Sequence, residues 1–507
     1  MLLQPKPHWS NLRQASLTLL APVLLIAIAF LKVPIYDTFE FDNDEGINLM
    51  KAFLYWKGFS LYSDIWSDQP PLLTFIVANW FKLFGPSVVA TRLLILVFTA
   101  LLVWTFQRVL QMSVGTIPAW IGTLFLIASW SFLKLSVAVM IGLPSLALAM
   151  LSIYILLLYK NKPHWSLLGL SGGLLALSMQ IKLFTVVLVP LLILALFDFR
   201  FKSRQRDGGE RAIASALLWV GSLVAVYVVI GLLFNSLNYD QLLASHMQES
   251  IKETYDETRG FRYFLFIIVH DADFVFLSLL GAAVVVQQKR WDGLLPLTWL
   301  ATATLLLITH RPIWYHHYPL MSIPMIWLAM YSVLPVIDFV QHAKQSSNGN
   351  IFSFNRLKQK PLIALTLFLL VISIGLMPVK LVGPIRRPTP QWEIVDLLKK
   401  YSAHTRWVFS DRPIIPFYAQ LPVPPNIAVL SQKRFASGAF TYDDVLDTLK
   451  TYAPEQIVLA RKAKDIKSNP KIHRFLAANY TRMYSKAYSR RDKDAVAEHY
   501  LIKSYPQ

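Results

Sequence analysis

The chain has 507 residues, and only 16% of them are charged, whereas a soluble globular protein usually carries about 25%. A hydrophobic share of 55% over this length excludes one ordinary soluble core and favours a polytopic membrane protein. In that setting the net charge of +19 indicates a membrane surface as the partner rather than nucleic acid. The absence of cysteine excludes disulfides, thiolate zinc sites and cysteine nucleophiles.

Eleven apolar segments are predicted to cross the membrane. The first, from about Leu17 to Val33, is longer than the apolar core of a signal peptide, and no cleavage site follows it. Lys and Arg are more frequent in the loops on the side of the N-terminus, so we expect a cytoplasmic N-terminus and an extracytoplasmic C-terminus in the plasma (inner) membrane. The later spans are predicted at Val88–Val109, Ile117–Leu133, Val137–Tyr159, Trp165–Gln180, Phe184–Phe199, Ala212–Phe234, Tyr263–Val286, Leu294–Thr309, Tyr318–Ile337 and Leu362–Val379.

The first outside loop, residues 34–87, is long and acidic. Its segment Glu45–Trp56 has the apolar spacing of a helix, and Leu72–Phe84 is apolar but too short to span, which favours an interfacial helix. Asp68 lies two residues before the stiff dipeptide Pro70-Pro71, a pattern that by itself favours the start of a helix.

The densest group of possible catalytic residues is Asp42, Asp44 and Glu45. Repulsion between these carboxylates would raise at least one pKa unless a cation or a substrate hydroxyl compensates. One of them could then take a proton from a nucleophilic hydroxyl. A solvated acidic loop that caps the following helix explains the same residues equally well.

Cations near the ends of spans are candidates for binding an anion. Arg92 lies in the outer part of the second span, and Lys182 falls between two spans. Buried cations are costly and usually functional, and both residues could hold a lipid-linked phosphate, although snorkelling to the interface is the alternative. In a later outside loop Arg311 is the candidate partner for an anionic substrate. The neighbouring pair His316-His317 is weak evidence for a metal without carboxylate partners.

Two further segments remain to be placed. The polar run His270–Asp273 either lines a cavity or shows that the predicted span has the wrong boundary. The tail 383–507 is polar enough to form a small soluble α/β domain, with strands at Trp407–Ser410 and Gln456–Ala460 and a helix at Tyr442–Tyr452.

Five motifs follow the first span in order: Asp42-Asn43-Asp44-Glu45-Gly46, Leu61-Tyr62-Ser63-Asp64, Asp68-Gln69-Pro70-Pro71-Leu72, Leu83-Phe84-Gly85 and Thr91-Arg92-Leu93. Taken together, they resemble the membrane glycosyltransferases of the GT-C superfamily, in particular protein O-mannosyltransferase-like and aminoarabinose-transferase-like enzymes. The resemblance is strong over residues 35–110 and looser beyond. It implies an all-α polytopic membrane domain over 1–382 and a soluble α/β C-terminal domain over 383–507.

The resemblance also implies a reaction: an acceptor hydroxyl or phosphate attacks a polyprenyl-phosphate sugar, with inversion, on the extracytoplasmic face. The acceptor is a protein, a glycolipid or a glycan. Asp44 would be the base with Glu45 beside it, and the leaving phosphate would be stabilised by cations or by a divalent ion (Mg²⁺, Mn²⁺ or Zn²⁺). The residues implied for the phosphate are Lys182, Arg92, Arg311 and His317, and those implied for the acceptor or as secondary acidic positions are Asp42, Asp68 and Gln69, the last at a place where the family often has Lys.

Two other functions fit a polytopic protein. A transporter or lipid flippase would place ionisable residues near the middle of the bilayer and often has inverted repeats, whereas here the charged clusters lie at the outer surface and no repeat is visible. A scaffold or receptor with a sensor tail would not need the acidic group in the first loop.

Overall fold

The structure is a computed structural model, and it describes residues 8–197, 208–246, 257–310, 313–345, 360–382, 391–487 and 496–506. Helices make up almost all of the described chain before residue 383. They are α1 (His8–Lys32), α2 (Asn43–Trp56), α3 (Leu72–Phe84), α4 (Val88–Val114), α5 (Thr116–Ala128), α6 (Phe132–Leu135), α7 (Gly142–Asn161), α8 (Trp165–Met179), α9 (Leu188–Leu196), α10 (Gly208–Leu233), α11 (Asp240–His246), α12 (Glu257–His270), α13 (Ala272–Gln287), α14 (Leu294–Thr309), α15 (Pro319–Ala329), α16 (Val333–Gln345) and α17 (Pro361–Val382), with 3₁₀ turns at Leu183–Val187, Trp291–Gly293, Tyr315–His317 and Met330–Ser332.

Each of the eleven predicted apolar segments coincides with a helix or a pair of helices. Six of the described helices are long and apolar enough to cross a membrane, and the bent pair α12–α13 makes a seventh if it counts as one span. The other four segments hold shorter apolar helices, namely Leu19–Lys32, Thr116–Ala128, Trp165–Met179 and Leu183–Leu196. The chain is therefore a multi-pass membrane protein.

The predicted span Val137–Tyr159 begins too early, because its helix starts only at Gly142. The backbone before this helix forms hydrogen bonds with side chains of the first loop. The Val139 carbonyl accepts a hydrogen bond from Asn48 Nδ2 at 2.9 Å, and the Val139 N–H donates to Glu45 Oε1 at 3.3 Å. Tertiary hydrogen bonds thus override an apolar run that on its own predicts a continuous helix.

The predicted span Tyr263–Val286 is also broken, with a bend of 86° between α12 and α13. Asp271 lies at the break and is fully buried. Its carboxylate pairs with Lys380 Nζ at 2.9 Å and accepts a hydrogen bond from the Tyr318 hydroxyl at 2.7 Å. Asp273 pairs with the same ammonium group at 2.6 Å. The polar run His270–Asp273 therefore marks a helix boundary, which was one of its two interpretations.

Both helices predicted in the first loop are present as α2 and α3. At the start of α2, Glu45 forms a fully buried, bidentate pair with Arg92 of α4, with Oε1 to Nε and Oε2 to Nη2 both at 2.9 Å. The Arg92 guanidinium also donates to the carbonyl groups of Ile35 and Thr38, both at 2.7 Å. This pair fastens the first loop to the membrane domain.

The chain after residue 390 forms a four-stranded sheet in the order β1-β2-β4-β3, in which β1 and β2 are parallel and the other pairs antiparallel. The predicted helix and its N-cap Thr441 are confirmed by a capping box with Asp444. The strands are β1 (Val408–Ser410), β2 (Gln456–Leu459), β3 (Tyr480–Ala487) and β4 (Val496–Ile502), and the helices are α18 (Trp392–Lys400), α19 (Ile414–Tyr418), α20 (Gln432–Ala436), α21 (Tyr442–Tyr452), α22 (Ala463–Ser468) and α23 (Pro470–Asn479), with 3₁₀ turns at Ser402–His404 and Pro425–Ile427.

The soluble domain and the first loop share one hydrophobic core. The Phe417 ring packs against those of Phe53 and Phe81, with centroids 5.7 Å apart in each case. A buried ion pair joins Arg412 to Glu40 at 2.8 Å beside this core. The soluble domain is therefore seated directly on the acidic loop.

Gly46 allows this close approach, because a Cβ at its position would lie 2.7 Å from the backbone nitrogen of Ile414. We expect Gly46→Ala to lower the thermal unfolding midpoint of the protein in detergent, since forced overpacking typically costs about 1–3 kcal/mol. Gly169→Ala is the matched control, because this glycine of α8 has open space around its Cβ position. Equal midpoints for the two variants would contradict the close packing.

Removal of Arg92 should leave the carboxylate of Glu45 buried and unpaired. We expect Arg92→Met to destabilise the protein by about 3–5 kcal/mol, and Glu45→Met/Arg92→Met to recover part of this loss because no lone charge remains. Arg108→Met in the same helix is the control, since Arg108 is only half-buried and bonds Gln111. Chemical denaturation would measure the three effects, and a double variant no more stable than Arg92→Met would count against the pair.

Candidate functional site

A cavity of about 870 Å³ lies between the first loop, the membrane domain and the soluble domain. This volume is in the range of small-molecule sites. The first loop lines it with Asp42, Asn43, Asp44, Ile47, Asn48, Lys51, Asp68 and Gln69; the membrane domain with Met140, Ile141, Lys182, Leu183, Phe184, Val186, Val187, Leu242, Leu306, His310, Trp314, Tyr315, His316 and His317; and the soluble domain with Val429, Ser431, Gln432, Lys433 and Arg461.

The acidic part of the wall is the first turn of α2. Asp42 caps this helix, with its Oδ1 accepting a hydrogen bond from the Asp44 N–H at 3.0 Å. Burial, and then repulsion by Asp42, raises the pKa of Asp44 to about 6. A carboxylate with a pKa in this range is a stronger base than an exposed aspartate and is still ionised at neutral pH.

Asp42, Asp44 and His316 offer three ligand atoms that all lie within 4.8 Å of one another. Burial, and then the charge of Lys182, lowers the pKa of His316 well below its ordinary value, so the imidazole is neutral as a metal ligand requires. Asp42 Oδ2 also accepts a hydrogen bond from the Tyr315 hydroxyl at 2.6 Å. Two carboxylates and one imidazole are a donor set that fits Mn²⁺ or Zn²⁺.

The cationic part of the wall comes from Lys182, Lys51, Lys433 and Arg461. Lys182 follows helix α8, and its Nζ lies 4.9 Å from the centroid of the Phe184 ring. Burial, and then repulsion by Lys433, lowers the pKa of Lys182 to about 7. Burial also lowers the pKa of Lys51, whose Nζ donates to Ser67 Oγ at 3.4 Å. An anion in the cavity would favour the charged forms of these groups.

The structure brings six of the predicted site residues together in this cavity: Asp42, Asp44, Asp68, Gln69, Lys182 and His317. Glu45 and Arg92 do not line the cavity, because their charged groups form an ion pair with each other behind its wall. Arg311 lies outside the described residues.

Among the lining residues that the sequence analysis did not single out, four are of chemical interest: Asn48, Lys51, Lys433 and Arg461. Asn48 and Lys51 follow Asp44 at four and seven positions, the spacing of one helix face, so the predicted helix could have revealed both. Lys433 and Arg461 had no such signal, because the tail contains many basic residues at no special spacing.

Comparisons with known proteins agree with this architecture. A family model described as dolichyl-phosphate-mannose-protein mannosyltransferase matches residues 68–234. A search of curated protein sequences finds no match. Among solved structures, ArnT from Cupriavidus metallidurans bound to undecaprenyl phosphate has 12% identity and a TM-score of 0.59, over 97% of this chain and 99% of ArnT.

The oligosaccharyltransferase AglB from Archaeoglobus fulgidus is similar as well. Its complex with an inhibitory peptide and a dolichol-phosphate has 12% identity and a TM-score of 0.58, over 96% of this chain and 75% of AglB. The A. fulgidus oligosaccharyltransferase in complex with Zn and sulfate has 13% identity and a TM-score of 0.54, over 94% and 70%. The chain therefore has the GT-C fold of these proteins, which confirms the fold that the resemblance of its first-loop motifs implies.

Proposed function

We propose that the protein is an integral-membrane glycosyltransferase that moves a sugar from a polyprenyl-phosphate donor to an acceptor hydroxyl. The GT-C fold and the family model over residues 68–234 support a transferase of this class. The ligands named for the two similar proteins, undecaprenyl phosphate and a dolichol-phosphate, support a lipid-linked phosphate as the donor.

The mixed lining of the cavity carries this proposal. Carboxylates and ammonium groups share it with apolar side chains of the membrane domain, namely Leu183, Phe184, Val186, Val187, Leu242 and Leu306. An amphipathic donor matches this lining, because its isoprenoid tail can remain with the apolar side chains while its phosphate and sugar meet the charged groups. A transported solute would not require a base with the pKa of Asp44 in the same cavity.

In the proposed reaction the acceptor hydroxyl lies beside Asp44. Its oxygen attacks the anomeric carbon while Asp44 takes its proton, and the bond between that carbon and the phosphate oxygen breaks with the electron pair leaving on the phosphate. Lys182 stabilises the charge that develops on the leaving group. A single displacement places the incoming and outgoing oxygens on opposite faces of the carbon, so the anomeric configuration is inverted.

The other predicted residues receive narrower roles in this proposal. Glu45 and Arg92 position the first turn of α2 and do not touch substrate. His317 Nδ1 accepts a hydrogen bond from the Trp314 N–H at 3.3 Å, which leaves its Nε2–H to donate to a phosphate oxygen. Asp68 and Gln69 lie on the loop side of the cavity, where we place the acceptor, which is a protein, a glycolipid or a glycan.

A divalent cation would be held by Asp42, Asp44 and His316. When bound there it would supply positive charge beside the reacting groups. The cavity and the soluble domain are proposed to face the extracytoplasmic side, in agreement with the Lys and Arg excess in the opposite loops.

Asp44→Asn removes the proposed base while keeping the size of the side chain. We expect this variant to lose about 10²–10⁴-fold in transfer, the usual contribution of a general base. The assay is release of polyprenyl phosphate from a panel of radiolabelled polyprenyl-phosphate sugars by the purified protein. Asp37→Asn, at an exposed aspartate of the same loop, is the control and should keep full activity. Wild-type transfer by Asp44→Asn would contradict the base assignment.

The pKa of Asp44 also predicts the pH dependence. In the presence of a chelator, transfer should fall as the pH drops through about 6, because protonated Asp44 cannot accept the hydroxyl proton. Mn²⁺ should move this acidic limb to lower pH, since a nearby cation favours the ionised carboxylate. In His316→Ala the shift by Mn²⁺ should be lost. An unchanged limb with Mn²⁺ would contradict the cation site, and a limb far from pH 6 would contradict Asp44 as the base.

A further inference from the structure

The soluble domain presents two cations to the cavity, Lys433 in helix α20 and Arg461 in the turn after strand β2. We infer that these two residues form an anion-binding subsite that takes a phosphate or carboxylate group of a substrate, in addition to the phosphate site at Lys182. This inference rests on the proposed transferase function and specifies which part of the chain recognises the charge on its substrates.

The position of Arg461 in the sheet supports this role. Strands β1 and β2 run parallel, so their carboxyl ends lie at the same edge of the sheet. In open α/β sheets this edge is where ligands bind. Here Arg412, just after β1, joins the edge to the first loop through its 2.8 Å pair with Glu40. The ligand-binding edge of the domain is thus turned towards the membrane cavity.

The turn that bears Arg461 is held in place before any ligand binds. The buried carboxylate of Asp411 accepts hydrogen bonds from the backbone N–H groups of Ala460 at 2.8 Å, Arg461 at 2.9 Å and Lys462 at 2.5 Å. Lys462 Nζ donates to Gln432 Oε1 at 2.6 Å, which ties the turn to helix α20. The two cations therefore belong to one connected unit.

Helix α20 is fixed on the first loop by Arg434. Its guanidinium lies 4.5 Å from the Trp66 ring centroid and 4.4 Å from that of Phe440. It also donates to the Asn426 carbonyl at 2.5 Å. Because Arg434 is buried against the loop, the preceding residue Lys433 is presented at the cavity wall.

The cavity is lined by more cationic than anionic side chains, which favours the binding of an anion. Neither Lys433 Nζ nor the Arg461 guanidinium makes an ion pair with another residue in the part of the chain that the structure describes. Burial lowers the pKa of Lys433, and the charges of Asp68 and Asp44 offset this only in part. Four cationic side chains face three carboxylates, so positive charge remains for a substrate: the cations are Lys51, Lys182, Lys433 and Arg461, and the carboxylates are Asp42, Asp44 and Asp68.

The anion can come from either substrate, because the donor carries a phosphate and an acceptor can carry a phosphate or carboxylate near its hydroxyl. Two binding measurements on the full-length protein in detergent distinguish these sources. The first compares undecaprenyl phosphate with undecaprenol, and the second measures inorganic phosphate in the presence of saturating undecaprenyl phosphate. The variants are Lys433→Gln/Arg461→Gln and Lys182→Gln.

We expect Lys433→Gln/Arg461→Gln to weaken one of the two ligands about tenfold, in line with the loss of charge-assisted hydrogen bonds. Weaker undecaprenyl phosphate binding assigns the subsite to the donor, and weaker inorganic phosphate binding alone assigns it to the acceptor. Both ligands within twofold of wild type would overturn the subsite. If the wild-type protein binds undecaprenol as tightly as undecaprenyl phosphate, the proposal of a lipid-phosphate donor is contradicted. The subsite would still stand if inorganic phosphate binding depends on Lys433 and Arg461.

The controls separate charge from structure. Lys433→Arg/Arg461→Lys keeps both charges and should bind both ligands within about threefold of wild type, well short of the tenfold loss expected when the charges are removed. Lys471→Gln/Arg474→Gln removes two exposed cations of the same domain and should change neither ligand. If the double glutamine variant fails to fold, Lys433→Gln alone is measured, and a change below twofold in both ligands overturns the subsite.

Discussion

The buried pair between Glu45 and Arg92 is the contact on which the cavity depends. The guanidinium donates to four acceptor atoms of three residues, Ile35, Thr38 and Glu45, which its planar fork of donors allows and an ammonium group would not. Glu45 and Asp44 are consecutive on one helical turn, so their side chains point about 100° apart. Anchoring Glu45 behind the wall therefore fixes Asp44 in the cavity, and the two carboxylates that look equivalent in the sequence acquire different roles.

Burial then sets the chemistry of the cavity. The same desolvation that raises the pKa of Asp44 to about 6 lowers that of Lys182 to about 7, so both groups titrate near neutral pH without substrate. Environments that shift the pKa values of two groups towards 7 are a general way to obtain acid–base chemistry at neutral pH. A lipid phosphate near Lys182 would favour its ammonium form. In the proposed reaction, binding of the donor would therefore strengthen the charge that stabilises its leaving group.

The sequence predicted the features that depend on local patterns. Apolar runs located the membrane helices, and helical spacing located α2, α3 and the capped helix at Thr441. It could not decide whether Arg92 binds a phosphate or Glu45, because its partner lies 47 residues away. The break before Gly142 was missed for a similar reason, since the bonds that Val139 makes with Asn48 and Glu45 are visible only in the folded chain.

The soluble domain shows most clearly why the sequence motifs identify only some of the residues that line the cavity. Arg412 and Glu40 are 372 residues apart, yet their pair lies beside the core that the domain shares with the first loop. In the proposed function the cavity takes its base from the loop, apolar side chains from the membrane domain and two of its cations from the tail. Because Gly46 touches Ile414 only two residues after Asp44, the packing of the domain on the loop also determines where the Asp44 side chain lies. The domain is thus part of the cavity wall, and the cations that it contributes are those to which we assign substrate recognition.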